Sequence, residues 1–179
     1  MNSLSGITFL LAALFAGSAF AGGSRTPPPS TVPQVDLVRY QGLWYEIARF
    51  EQSFQKDCEA VTAEYTPRDD GKITVLNTCR QGAVDGPVKS AKGVARVADK
   101  SSNAKLRVSF FWPFEGDYWI FELGEAYEYA VVGSPDRDSL WFLSRTPQMD
   151  PAVFDDLSQR MTDRGFDVSR LRRTQQPLP

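Results

Sequence analysis

The chain has 179 residues, with 42% hydrophobic, 12% aromatic and 23% charged residues, a balance typical of one globular domain rather than a disordered or fibrous protein. The 20 Lys and Arg residues against 22 Asp and Glu residues give a net charge of -2, which excludes a basic surface field for nucleic acid. The sequence contains no His, which excludes catalytic sites of the Ser-His-Asp and Cys-His types and haem sites with a His ligand.

The amino-terminal segment has the pattern of a secretory signal. Residues 7–20 form an apolar stretch, and the stretch ends in a small-x-small pattern at Ala21 that signal peptidase cleaves. We therefore predict a signal peptide over residues 1–21. A membrane anchor is the alternative, although Gly17 and Ser18 interrupt the apolar run before it reaches the length of a membrane span.

The residues that follow divide into a spacer and a folded domain. Residues 22–34 are rich in Pro and Gly and lack apolar periodicity, so we predict an extended spacer there. We expect one folded domain over residues 35–177.

The two cysteines, Cys58 and Cys79, both lie in the part of the chain predicted to be exported. An even number of cysteines in an oxidising compartment favours one disulfide, which would contribute about 3 kcal/mol to stability. Two free thiols or a zinc site are the alternatives, but two cysteines without His nearly exclude a four-ligand zinc site. We expect neither a metal nor another cofactor.

From Leu43 onward, short runs of β-branched and aromatic residues recur between turn-forming segments, a pattern typical of an antiparallel sandwich or barrel. The short connections pair neighbouring strands, and eight such strands close into a barrel that can hold one small ligand. We therefore predict an all-β fold, an eight-stranded up-and-down antiparallel β-barrel. The predicted strands span residues 44–50, 58–66, 72–79, 88–98, 105–111, 118–123, 127–133 and 140–145.

After the eighth strand the periodicity becomes helical. Asp150 followed by Pro151 is a typical helix start, and Gly165 is a typical stop. The apolar stripe that predicts one C-terminal helix packed outside the barrel consists of Val153, Phe154, Leu157 and Met161. Residues 166–171 can add a short strand, and residues 172–179 are expected to form a loose tail.

Three stretches of the sequence resemble the lipocalin family, in particular the bacterial lipocalins related to apolipoprotein D. Gly42 and Trp44 match the glycine-x-tryptophan motif of the first strand, and residues 129–138 match the seventh strand and its following turn. Arg145 occupies the position at which the family places an arginine over that tryptophan. The resemblance covers about residues 35–177 and implies a barrel that binds a small hydrophobic ligand, such as a fatty acid or lysophospholipid.

The order of the strands gives these motif residues a structural role. If the first strand rises from the closed end of the barrel and the eighth descends to it, Trp44 and Arg145 meet there. A guanidinium stacked on an indole contributes about 0.5 to 2 kcal/mol. We therefore assign Gly42, Trp44 and Arg145 to the floor of the barrel, with a solvated Arg145 as the alternative.

Period-two alternation predicts which side chains face the interior. The predicted lining is mostly apolar and aromatic, so it would select a hydrophobic ligand by buried area, with few polar anchors. The predicted ligand contacts are Glu46, Ala48, Phe50, Val61, Ala63, Tyr65, Val75, Leu106, Val108, Phe110, Trp112 and Trp141. Residues 118–121 are apolar on both faces, so alternation does not orient them, and the lipocalin resemblance is what implies that Tyr118 faces the interior as a further ligand contact.

The same alternation leaves one conflict. A four-residue turn over residues 67–70 sets Cys58 opposite Cys79, but the inward faces predicted for these two strands have the other parity. A bulge or a turn of different length is required.

Aromatic residues cluster where the connections at the open mouth are expected. Exposed aromatic rings on a soluble protein typically mark a ligand or membrane contact, and rings folded inward onto the core are the alternative. The cluster consists of Phe50, Phe54, Phe110, Phe111, Trp112 and Phe114.

These patterns together predict an extracytoplasmic carrier of a small hydrophobic ligand, with transient membrane contact at the mouth, no binding of nucleic acid and no catalytic residues. Many bacterial lipocalins are anchored by a lipid on a cysteine directly after the signal. No cysteine precedes Cys58, so we predict a periplasmic or secreted protein, soluble after cleavage near Ala21, without lipoprotein anchoring.

Two other functions remain open at this point. An enzyme would need Cys58 or Cys79 as an unpaired nucleophile, or a buried acid such as Glu46. A protein-interaction module would instead use the loops at the barrel mouth.

Overall fold

The structure is a computed structural model that describes residues 26–177, so the predicted signal peptide lies outside the described residues. Single turns of 3-10 helix at Ser53–Gln55 and Val168–Arg170 connect longer elements. Those elements are α1 Leu37–Tyr40, β1 Gly42–Phe50, β2 Cys58–Pro67, β3 Ile73–Gln81, β4 Val88–Val97, β5 Lys105–Phe111, β6 Phe114–Leu123, β7 Tyr129–Gly133, β8 Leu140–Ser144, α2 Pro151–Asp163 and β9 Leu171–Arg173.

The strands form one closed antiparallel barrel. Strands β2 to β8 follow in chain order, and β1 pairs with both β8 and β2, which closes the ring. The predicted eight-stranded up-and-down barrel is therefore confirmed. Closure pairs the backbone groups that an open sheet would leave exposed at its edges.

Strand β6 begins earlier than predicted. The sequence indicated a connection over residues 113–117, but Phe111 already pairs with Phe114, so the turn is limited to Trp112 and Pro113. The strand continues through polar residues because the Glu115 carboxylate pairs with Arg96 of β4 and the Asp117 carboxylate pairs with Arg107 of β5.

The segment before β1 covers the closed end of the barrel. Its backbone is tied to the strands, since Val32 N donates to Ile120 O over 3.0 Å and Val35 N donates to Ser102 O over 2.8 Å. Helix α1, which the sequence analysis missed, starts where the Asp36 side chain accepts hydrogen bonds from Val38 N and Arg39 N.

Helix α2 confirms the predicted helix outside the barrel. The Asp150 side chain accepts a hydrogen bond from Ala152 N, and Gly165 follows the helix with a φ of +83°. Leu157 and Met161 are fully buried against outward-facing barrel residues such as Phe142. The barrel therefore has two apolar faces, one inside and one beneath α2.

Residues 171–176, which we call the wall segment, complete the barrel wall between β1 and β2. Strand β1 pairs with β2 only from Gly42 to Tyr45, and β9 pairs with the second half of β1. On the other side of the segment, Ala60 N donates to Gln175 O over 2.7 Å. The prediction of a loose tail is wrong for residues 172–176, because backbone groups in the gap between β1 and β2 bind them.

The Cys58–Cys79 disulfide is confirmed, with a Cα–Cα distance of 5.5 Å. The parity conflict is resolved by a longer turn together with a bulge. Pro67 pairs with Ile73, so the turn spans residues 68–72, and β2 bulges between Glu59 and Thr62, where Ala60 has a φ of 47°. Because the bulge adds a residue to β2 alone, Cys58 pairs with Gln81 and approaches Cys79 diagonally.

Candidate ligand-binding cavity

The barrel encloses a cavity of about 510 Å³, within the range of about 300–1,000 Å³ that is typical of small-molecule sites. It opens at the end of the barrel that carries the β1–β2 and β7–β8 connections, since Phe54, Gln55, Ser134 and Asp136 of these connections lie at its edge. The wall below this mouth is mainly aliphatic and aromatic. A closed wall with a single apolar interior can therefore separate a hydrophobic molecule from water.

The structure brings most of the predicted ligand contacts together around this cavity. Their alternation along the strands is the cause, since each strand presents every second side chain to the interior. These lining residues are Glu46, Val61, Ala63, Tyr65, Val75, Val108, Phe110, Tyr118 and Trp141. Lining residues outside the predicted set include Asn77, Val132 and Leu143.

Ala48 and Phe50 lie on the other side of the wall. A bulge in β1 between Glu46 and Ala48 reverses the alternation, so that both side chains pack in the outer cluster with α2. The period-two assignment of these two residues to the interior is therefore corrected. The bulge depends on pairing with β8, which the sequence of β1 alone does not show.

Leu106 and Trp112 also lie away from the cavity. Leu106 is buried in the interior cluster that surrounds Trp44, below the cavity. Trp112 lies in the β5–β6 turn with 86% of its surface exposed, and it borders a groove on the outside of the barrel. The turn carries this side chain past the last strand pair, so it points away from the interior.

Trp44, Arg145 and Gly42 form the floor. The guanidinium carbon of Arg145 lies 3.9 Å from the Trp44 ring centroid, and Trp44 Nε1 donates to Tyr40 O over 2.9 Å. Arg145 Nη1 donates to Leu43 O over 2.8 Å. Gly42 has a φ of +88°, in the left-handed region that favours glycine. Stacking and hydrogen bonds thus hold the floor rigidly.

Three tyrosines lie between this floor and the cavity, and we call them the tyrosine trio: Tyr40, Tyr65 and Tyr118. The Tyr118 hydroxyl oxygen lies 2.7 Å from that of Tyr40 and 2.8 Å from that of Tyr65. Burial raises the pKa of Tyr65 to about 12 and raises the pKa values of the other two phenols well above 10.0. All three therefore keep their protons at neutral pH.

Sequence reasoning missed Tyr40 because it belongs to α1, outside the strand pattern. No periodic signal in the sequence places this residue beside Tyr118, which is 78 residues further along the chain.

A buried polar cluster forms one wall of the cavity around Glu46. Arg49 is fully buried, and its Nη1 donates to Glu46 Oε1 over 2.7 Å and to Thr174 Oγ1 over 3.1 Å. Glu46 Oε2 accepts a hydrogen bond from Gln55 Nε2. Burial by itself lowers the pKa of Arg49, but the carboxylates of Glu46 and Glu51 outweigh that effect and raise it.

Gln55 extends this cluster across the mouth, since Trp141 Nε1 donates to Gln55 Oε1 over 3.1 Å. Sequence reasoning missed Arg49 and Gln55 as parts of the site. The available signal was the presence of two charged residues of opposite sign, Glu46 and Arg49, three positions apart in an apolar strand.

The charges on the β5–β6 side of the mouth are paired. Arg96 Nη2 lies 2.6 Å from Glu115 Oε2, and Arg107 Nη1 lies 3.0 Å from Asp117 Oδ1. The hydrogen bond from Arg96 lowers the pKa of the Glu115 carboxyl. Within residues 26–177, no group of three acidic or cysteine side chains is placed to hold a metal ion.

Four of the six aromatic side chains in the predicted mouth cluster are exposed to solvent. The exposed fractions are 78% for Phe111, 86% for Trp112, 77% for Phe114 and 63% for Phe54. The other two rings of that cluster are placed differently, since Phe110 lines the cavity and Phe50 is buried beneath α2. Three adjacent exposed rings at one turn form a distinct apolar surface.

Curated relatives resemble the chain over most of its length. It is 40% identical to outer membrane lipoprotein Blc of Escherichia coli (strain K12), over 96% of this chain and 97% of the relative. It is 42% identical to outer membrane lipoprotein Blc of Vibrio cholerae, over 89% of this chain and 94% of the relative. Apolipoprotein D of Mus musculus is 34% identical, over 85% and 82% of the two chains.

The names of these bacterial relatives correct our prediction of location. They are outer membrane lipoproteins, so the prediction of a soluble protein without lipoprotein anchoring is wrong. That prediction depended on the absence of cysteine before Cys58, and the absence of one residue type does not measure association with a membrane. Among the described residues, neither helix combines the length and apolarity of a membrane span.

Solved structures share the fold at low sequence identity. Insecticyanin from Manduca sexta has a TM-score of 0.67 and 19% identity, with 86% of each chain covered. Apocrustacyanin A1 from lobster has a TM-score of 0.63 and 18% identity, covering 85% of this chain and 92% of the other. The model of the lipocalin-like domain matches residues 35–176. The family model, the sequence relatives and the closed barrel all agree. The chain therefore belongs to the lipocalin family.

Proposed function

We propose that the protein binds and carries a fatty acid or lysophospholipid, with its hydrocarbon chain inside the barrel. The observation that carries this proposal is the 510 Å³ cavity enclosed by the barrel wall and open at one end. The lining residues named above are the proposed ligand contacts. Membership of the lipocalin family supports the binding of a small hydrophobic ligand as a class.

The energetics of the cavity favour a hydrocarbon chain. Transfer of apolar surface from water into such a lining contributes about 25 cal/mol per Å². Val61, Val75 and Val108 form apolar wall, whereas Gln55, Ser134 and Asp136 lie at the mouth, where a polar headgroup would remain in contact with water.

The enzyme alternative through a cysteine nucleophile is not supported. Such a nucleophile must be a free thiolate, and Cys58 and Cys79, which are the two cysteines of the sequence, are joined to each other.

A larger side chain inside the cavity should weaken binding of the proposed ligand without unfolding the barrel. Val108 lines the cavity and pairs with Gly116 and Ala95, which leave space beside it. We expect Val108→Trp to weaken binding of a fluorescent fatty acid by at least about tenfold, because the indole occupies volume that the ligand needs. Fluorescence titration measures this change, and lysophosphatidylcholine tested as a competitor compares the two ligand classes.

Ser109→Trp is the matched control, since it places the same ring on the same strand but on the outer face. We expect it to retain the affinity of the wild-type protein. Equal affinities of Val108→Trp and wild type would contradict binding inside the barrel, and the failure of wild type to bind either ligand would contradict the proposed function.

We also propose that the exposed rings of Phe111, Trp112 and Phe114 contact a lipid surface while the ligand passes the mouth. Aromatic rings are stable at the boundary between headgroups and acyl chains, because one part of the ring is buried and another remains hydrated. The charged residues that line the adjacent outer groove are Arg68, Lys72, Lys92 and Arg96 against the single carboxylate of Glu115, which pairs with Arg96. The groove therefore has an excess of positive charge, which is suited to phosphate headgroups.

Replacing all three rings by Ser should reduce vesicle binding by at least about threefold, because most of the exposed apolar area of the turn is lost. Flotation with phosphatidylcholine vesicles, with and without phosphatidylglycerol, measures the bound fraction. The control is Val38→Ser/Leu43→Ser, which removes exposed apolar side chains from the opposite end of the barrel. Equal losses in both proteins would contradict a specific role of the mouth.

A further inference from the structure

The tyrosine trio has one more proton than its internal hydrogen bonds use. Each phenol carries one donor proton, and the three oxygens are joined by two hydrogen bonds, Tyr40–Tyr118 and Tyr65–Tyr118. Either oxygen can be the donor in each bond. In every arrangement two protons are used and one hydroxyl keeps a proton without an acceptor in the trio.

The position of the trio makes this proton available to a ligand in the arrangements that leave it on Tyr65 or Tyr118. Tyr65 and Tyr118 line the cavity, whereas Tyr40 packs beneath them against Trp44, with ring centroids 5.0 Å apart. The cavity wall near these hydroxyls is formed by apolar side chains such as Ala63, Val75 and Val108. A buried hydroxyl proton in apolar surroundings is destabilising unless an acceptor reaches it.

We propose that the tyrosine trio is a binding site for a neutral oxygen, a hydroxyl or carbonyl, at the buried end of a hydrophobic ligand. This inference rests on the proposed function, since the ligand must first occupy the cavity. The trio supplies one hydrogen bond to that oxygen and thereby distinguishes an oxygen-tipped chain from a plain hydrocarbon chain of the same length.

A carboxylate does not fit this position. The trio is neutral and has one spare donor, and a buried carboxylate needs a countercharge or several donors. The phenols also remain protonated, because burial raises their pKa values. A fatty acid therefore enters with its methyl end first and leaves its carboxylate at the mouth, so the trio recognises an oxygen at the opposite end of the chain.

The test compares ω-hydroxy fatty acids with unsubstituted fatty acids over a series of chain lengths. The measured quantity is the ratio of the two dissociation constants at each length. In wild type the ratio should favour the hydroxy form most at the length that reaches the trio. In Tyr65→Phe/Tyr118→Phe, which removes both cavity-facing hydroxyls, we expect this preference to fall by about threefold to tenfold.

Two single variants serve as controls. Tyr40→Phe keeps both cavity-facing hydroxyls, which then share one bond and still have one spare proton, so the preference should be retained. Tyr129→Phe removes a phenol from the outer cluster and should change nothing. The inference is overturned if the double variant keeps the wild-type preference at every length, or if Tyr40→Phe loses as much of it.

The outcomes separate this inference from the proposed function. Retained binding of unsubstituted fatty acids by the double variant shows that it is folded and that the cavity still admits a chain. Failure of wild type to bind any fatty acid overturns both proposals, whereas binding of all chains without a trio-dependent preference overturns only this one.

A measurement on wild type alone covers the case in which the double variant does not fold. The infrared ketone band of a bound (ω-1)-keto fatty acid should shift to lower wavenumber than in an alkane solvent, because a hydrogen bond weakens the C=O bond. A band at the alkane position would overturn the inference.

Discussion

Trp44→Ala is expected to lower the free energy of unfolding by about 3 to 5 kcal/mol, the range for removing a fully buried aromatic side chain. Trp44 has no exposed surface, and its ring lies between Arg145 on one side and Tyr40 on the other. Truncation removes the indole, its hydrogen bond to Tyr40 O and the stacking surface for a partly buried guanidinium. The floor of the barrel would then contain a void.

Urea denaturation with the disulfide intact measures this change. Leu43→Ala is the matched control, because Leu43 immediately precedes Trp44 in β1 but is 42% exposed. Its loss should change the free energy of unfolding by about 1 kcal/mol or less. Equal effects of the two variants would show that the floor does not stabilise the barrel in the way its geometry indicates.

Arg49→Met is expected to destabilise the protein by about 3 to 5 kcal/mol, because removing one partner of a buried ion pair leaves the other charge uncompensated. The Arg49 and Glu46 side chains are almost completely buried, and Arg49 also donates to Cys58 O and Gln55 O. The substitution is close in size, so the lost charge and hydrogen bonds dominate the change rather than a cavity.

A second substitution distinguishes charge from packing. Arg49→Met/Glu46→Gln removes the stranded carboxylate, and we expect it to be more stable than Arg49→Met by about 1 kcal/mol or more. Arg68→Met, which removes an exposed partner of Asp70, should cost less than about 1 kcal/mol. If the double variant is less stable than Arg49→Met, the charge explanation is wrong. Chemical denaturation of the four proteins measures the comparison.

The sequence predicted the barrel and α2 because both depend on local patterns. Alternating residues within each strand and turn formers between strands determine which neighbours pair, and Asp150, Pro151 and Gly165 mark the ends of the helix. The same alternation placed Ala63, Tyr65 and Val75 on the inner face, since the parts of β2 and β3 that contain them have no bulge and keep their period.

The sequence did not predict features that depend on pairing between distant segments. The β1 bulge arises where β1 pairs with β8, and it moves Ala48 and Phe50 to the face beneath α2. The buried cluster of Arg49 and Glu46 behind the cavity is completed by Thr174, which reaches Arg49 across 125 positions of the chain. The pattern of residues within one strand does not show which distant segments will contact it.

The tyrosine trio shows the same limit. Tyr65 was predicted from strand alternation and Tyr118 from the resemblance to the lipocalin family, but Tyr40 comes from a four-residue helix too short to produce a periodic signal. The proton count that distinguishes this group from three ordinary core tyrosines requires the distances between oxygens, which only the folded structure provides.

The wall segment also constrains the order in which the protein can fold. Residues 171–176 follow all eight barrel strands and α2 in the chain, so they are the last part of the wall to become available, whether the chain folds during synthesis or after export. Until they arrive, a slot remains open beside β1, and Glu46 and Arg49 lack the Thr174 hydroxyl that binds both. A chain that ends before this segment would therefore admit water through the gap in its wall. A ligand could be retained only after the segment had docked.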